Sequence, residues 1–180
     1  MPEASKDAAI LIATSYQALK RAEKGDKSTE ITNSMVIILF AGFFVEENLN
    51  VIIKAMKKHE EMRKFLGGKK YPGLLDKISW FYNEYVELSK SVSRKDLFKK
   101  DTNGDLLIFQ KLETRFQGIK EIYEFRNKVA HGEIKAVNII KAERLRKQAK
   151  AIVDELFKIA QNHELNIPRN ITYQTAIVKQ

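Results

Sequence analysis

Arg126, Asn127 and His131 are the residues of this chain best suited to chemistry on a phosphate. Histidine exchanges protons near neutral pH, so His131 can act as a general acid or base. A guanidinium presents a rigid fork of donors, so Arg126 can stabilise charge building on phosphoryl oxygens. Asn127 can orient His131 or contact the phosphate. On a regular helix, His131 stands about 140° around the axis from Arg126. The two do not share a face, but both reach one phosphate if the helix ends near His131. Asn127, four residues before His131, does share its face. A plainer explanation is that the three residues cap a helix C-terminus favourably against its dipole.

Glu46 joins this group by its position. Phe109, Leu112, Phe116, Ile119 and Tyr123 step by three and four, and the next places in that series are Arg126 and Ala130. Glu46 interrupts a second stripe, formed by Met35, Leu39, Gly42, Leu49, Ile53 and Met56. An unpartnered buried charge is costly. Two opposite charges, each on an apolar stripe, are therefore expected to meet. The competing explanation is that both lie near bundle ends and snorkel to water.

Helical spacing runs through nearly the whole chain. It predicts helices over about 6–24, 32–65, 72–88, 105–131 and 138–163, with Gly25 and Gly67-Gly68 as stops. Gly132 is placed to be the residue just past a helix end. A polar stretch, 89–104, joins the third helix to the fourth. The expected fold is all-α: an up-down bundle of four to five helices in a single domain, 1–180, with a short C-terminal tail. Residues 166–180 are expected to form a docked tail or arm.

Composition narrows the function classes. With 44% hydrophobic and 31% charged residues, the chain can bury a core. It has no cysteine, which excludes disulfides, zinc-thiolate sites and thiol catalysis. The N-terminus lacks a basic region leading into a long apolar run, so no secretory signal is expected. The most apolar stretch, 35–45, is read as a buried helix too short to span a bilayer, so no membrane association and a cytoplasmic location are expected. The net charge of +9 suits a polyanion such as nucleic acid.

Other candidates are weaker. Asp101-Thr102-Asn103-Gly104-Asp105 has its glycine two positions early for a calcium loop, and a turn explains it better. Gly67-Gly68-Lys69-Lys70 lacks phosphate-loop spacing. Core packing or an oligomer contact explains Trp80, Phe81, Tyr82 and Tyr85 better than base stacking. His59 and His163 stand alone. No metal-ligand cluster is visible in the sequence, and no cofactor is expected.

Arg126-Asn127-Lys128-Val129-Ala130-His131 resembles the signature of the HEPN superfamily: an arginine, a polar residue, then a short gap to histidine. Phe125 and Gly132 flank it as in many members. Glu46, within Phe43-Phe44-Val45-Glu46-Glu47-Asn48-Leu49, resembles the acidic residue that many members carry in their second helix. The resemblance implies metal-independent RNA cleavage at a homodimer interface, with both protomers supplying the motif. It makes Arg126, Asn127, His131 and Glu46 the catalytic candidates. Attack by the substrate's own 2′-hydroxyl would restrict the substrate to RNA and leave a 2′,3′-cyclic phosphate. A toxin or defence effector, with an antitoxin protein as a further partner, is the role it suggests.

Three basic clusters could flank such a site: 54–70, 90–100 and 135–150. The last follows His131 directly. Lys135, Lys141, Arg144 and Lys147 of that cluster, with Lys128 inside the motif, are the expected RNA-backbone contacts, against the plainer reading of a solvated helix face. The alternative function is a non-catalytic helical module binding RNA, a nucleotide or a protein partner. A third is a structural oligomer.

Overall fold

Asp26 starts the longest helix of the chain. Its carboxylate accepts the N–H of Thr29 at 2.8 Å, which satisfies one of the orphan donors of a first turn. The computed structural model describes residues 3–88, 92–133 and 137–163. Its elements in order are α1 (Glu3–Lys24), α2 (Lys27–Ala55), α3 (His59–Phe65), α4 (Leu74–Tyr85), α5 (Arg94–Leu97), α6 (Leu107–Arg115), α7 (Ile119–Ala130) and α8 (Ile139–Asn162). The fold is an all-α bundle, as the helical spacing predicts. Among the described residues the β structure is limited to one isolated bridge, Lys100 to Leu106.

The bundle has more pieces than the apolar periodicity predicts. The helix expected over 32–65 is two helices, because Lys57 turns to a positive φ of 54° between them. The helix expected over 105–131 is also two. Gly118 breaks it at φ 88°, and a Cβ there would stand 2.5 Å from the amide carbon of Gln148. Only glycine fits both that backbone conformation and that close approach. Glu113 then caps the new helix start, accepting N–H groups from Gly118 at 2.8 Å and Lys120 at 2.7 Å. The third expected helix ends at Tyr85, short of Leu88, which is exposed. The polar linker contains the short helix α5. The expected tail, 166–180, lies outside the described residues.

α2 is the central element and packs against α1, α8, α7 and α4. Eleven of its residues are buried, among them Ile37, Ile38, Val45, Leu49, Ile52 and Ile53. Trp80, Phe81, Phe116, Leu145 and Leu156 complete the core around it. Burying each such side chain contributes about 1.5–3 kcal/mol. By length and composition alone α2 is long and apolar enough to cross a bilayer, a test that the core helix of a bundle also passes. In the bundle, 56% of its most apolar window is buried.

α7 and α8 form an antiparallel hairpin. Near its turn, the Lys141 amine lies 3.7 Å from the Phe125 ring centroid; farther along, Gly118 faces Gln148. Glu30 of α2 accepts the N–H of Ile139 at 3.1 Å, joining the start of α8 to the start of α2. At the other end, His163 Nε2 lies 3.1 Å from the Tyr85 carbonyl oxygen. α8 thus begins beside the start of α2 and ends beside the end of α4, and α7 runs against α8.

Candidate active site

α7 crosses α2 at Gly42. A Cβ on Gly42 would come 2.8 Å from Arg126 Cγ, so the missing side chain leaves the groove in which the arginine stem lies. Arg126 shares the inward face of α7 with the buried Ile119 and Ile122. The arginine is therefore half-buried by the register of its own short helix. The longer stripe read from the sequence crosses the break at Gly118, and its last member, Ala130, is exposed.

One turn beyond Gly42, Glu46 receives the guanidinium, with Arg126 Nη2 2.9 Å from Glu46 Oε2. The guanidinium carbon also stands 4.8 Å from the centre of the Phe43 ring. The expected meeting of Glu46 and Arg126 is thus present. Lys77 of α4 adds a partner that the sequence reading missed, its amine 2.8 Å from Glu46 Oε1. The side chains of Arg126, Glu46 and Lys77 are 19%, 17% and 12% exposed. Two cations on one carboxylate leave an excess positive charge in a sheltered place, which favours an anion. A signal for Lys77 does exist. It lies among Leu74, Ile78 and Phe81 on the buried side of α4, the same anomaly that marks Arg126.

His131 closes α7. Its N–H donates to the Asn127 carbonyl at 2.9 Å, Gly132 N–H to Val129 at 3.1 Å and Glu133 N–H to Lys128 at 2.8 Å. With Gly132 at φ 69°, these bonds make a Schellman end, so Gly132 takes its expected place. The His131 side chain is exposed, and its ring has no hydrogen-bond partner among the described residues. Asn127 turns toward Arg126, its Oδ1 3.4 Å from Arg126 Nη1, a long contact. Within one chain, Asn127 does not orient His131. Arg126 and His131 belong to the same helix end but face different surroundings, one half-buried and one open.

The basic residues chosen as RNA contacts differ among themselves. Lys128 is exposed and has no ionic partner among the described residues. Lys135 lies outside the described residues. Lys141 pairs with Glu121 at 2.9 Å. Arg144 reaches both oxygens of the same carboxylate at 2.8 Å. Lys147 pairs with Glu143 at 2.9 Å and holds that carboxyl below its ordinary value. Much of the charge at the start of α8 is therefore answered within the chain.

The remaining candidates behave as structural groups. Asp101 accepts N–H groups from Asn103 and Asp105, each at 2.9 Å, so this segment is a turn. Trp80 and Phe81 are core residues. Burial pushes the Tyr85 hydroxyl up to about 12. Compared with protein-family models, curated proteins and solved structures, the chain matches none.

Proposed function

We propose that this chain is a metal-independent endoribonuclease of the HEPN type, a toxin or defence effector acting as a homodimer. The observation that carries the reading is Arg126, laid over Gly42 and held 2.9 Å from Glu46, on a helix whose last residues expose His131. Glu46 restrains the arginine, so less side-chain freedom is lost when it meets a phosphate. Lys77 on the other carboxylate oxygen keeps Glu46 from cancelling the arginine's charge. The exposed His131 is free to meet a substrate. Phe43, 38% exposed and edge-on to Phe40, offers apolar surface beside the motif for a second copy.

In this reading an imidazole takes the proton of a ribose 2′-hydroxyl, and the 2′-oxygen attacks the adjacent phosphorus. The bond to the 5′-oxygen breaks, and that oxygen takes a proton from an imidazolium. Arg126 stabilises the negative charge on the phosphoryl oxygens. The products are a 2′,3′-cyclic phosphate and a free 5′-hydroxyl. Two copies of His131 provide both the base and the acid.

The test is cleavage of single-stranded RNA in EDTA, with the product ends identified. His131→Ala should lose roughly 100-fold to 10,000-fold in rate while remaining folded. RNA carrying 2′-O-methyl groups should bind and stay intact. Cleavage of that RNA, or unchanged cleavage by His131→Ala, overturns the mechanism. The turn of Asn127 toward Arg126, where it does not orient His131, favours a second reading, a module that binds RNA without cutting it. RNA that is bound but never cleaved would decide for that reading.

A further inference from the structure

Tyr71 stands on the loop between α3 and α4 with 77% of its surface exposed, more than any other large hydrophobic residue described. The loop is braced from below. Asp76, 6% exposed, accepts the Lys69 amine at 2.5 Å and the Gly73 N–H at 3.1 Å. Arg94 stands 3.6 Å from its other oxygen. The residues two before and two after Tyr71 are thereby tied to one buried carboxylate. The Tyr71 side chain itself is left open to solvent.

Two lysines of this segment are open. Lys70 lies 5.3 Å from the ring centroid, and Lys64 sits in the last turn of α3 before the loop. Both are exposed and have no ionic partner among the described residues. The cluster at the start of α8, by contrast, is largely ion-paired. The loop leads directly into α4, the helix that carries Lys77. Lys77, which holds Glu46, follows the first residue of α4 by three positions, about 4.5 Å of helical rise.

We propose that Tyr71 is a stacking platform for one base of single-stranded RNA, with Lys70 and Lys64 taking the flanking phosphates. This rests on the RNA reading above and extends it to how the strand is held. An exposed aromatic ring among free cations suits a single strand, because every base has a π-face and every linkage a charge. The contact is tolerant of sequence, since stacking reads no hydrogen-bonding edge.

The experiment uses a fluorescent 2′-O-methyl oligouridylate, which cannot be cut by 2′-hydroxyl attack, and a matched oligomer with abasic positions. Tyr71→Ala should weaken binding of the base-bearing oligomer about 5- to 150-fold, the span expected for stacking one base on a ring. Tyr71→Phe should bind within about twofold of the native chain, since the ring is kept. The abasic oligomer should bind the native chain and Tyr71→Ala alike. In Tyr71→Trp, oligouridylate should quench the new indole, while the one native tryptophan, Trp80, is buried and supplies a constant background. Native binding that is unchanged in Tyr71→Ala, or equal losses for both oligomers, overturns the platform and leaves the RNA reading standing. Failure of the native chain to bind any oligonucleotide overturns both.

Discussion

The two ends of α7 are built from the same kinds of residue and are finished differently. At its N-terminal end, Lys120 pairs with Asp105, Glu121 holds Lys141 and Arg144, and the Glu113 carboxylate accepts two backbone N–H groups. The Asp105 carboxylate keeps the Lys120 amine above its ordinary value. Charge there serves to join α7 to α6 and α8. At the C-terminal end, Glu46 is shared by two cations, and Lys128 and His131 are open. Charge there is held in place without being used up. The difference shows that a count of basic residues does not tell which charges are open; their ion pairs do.

The largest effect expected from breaking this contrast lies at Glu46. Glu46→Ala leaves Arg126 and Lys77 partly buried and without their shared counter-ion. Loss of one partner from such an arrangement should destabilise the fold by about 1–3 kcal/mol, less than for a fully buried pair. A urea titration measures the loss, and cleavage should fall with it as Arg126 loses its restraint. If stability stays unchanged, the triad is not holding the three helices together, and the contrast between the ends fails.

Gly42→Ala should separate site from scaffold. Alanine favours a helix interior over glycine by up to about 1 kcal/mol, while overpacking costs roughly 1–3 kcal/mol. The net change should be a loss of no more than about 2 kcal/mol. The new methyl group must displace the Arg126 stem, however, and misplacing a catalytic group by about 1 Å can cost on the order of 100-fold. Cleavage should therefore fall by about 10- to 100-fold, more than the accompanying shift in urea midpoint accounts for. Equal activity would show that the arginine's position over Gly42 is unimportant.

The smallest effect is expected at the other end of α7. Glu121→Gln releases Lys141 and Arg144 for a polyanion. RNA affinity should tighten about 1.5- to 5-fold, the 0.2–1 kcal/mol of an exposed ion pair. Its salt dependence should also steepen. Unchanged affinity and salt slope would show that this face does not meet RNA.

The all-α class is legible in the spacing of apolar residues and in the scarcity of glycine and proline. The end of α7 is legible too, since Gly132 after His131 needs only local backbone geometry. So is the anomaly of a charge on an apolar stripe, which marks Glu46 and Arg126 before their contact is known. Tertiary structure decided the rest. Gly118 reads as one glycine inside a long periodic segment, and the approach of Gln148 from α8 makes it a break. Lys77 lies 31 residues from Glu46, a separation that no helical period relates. Which lysines are answered and which are open also depends on neighbours far along the chain. Side-chain periodicity reports the face a residue occupies; only packing reports what waits on that face.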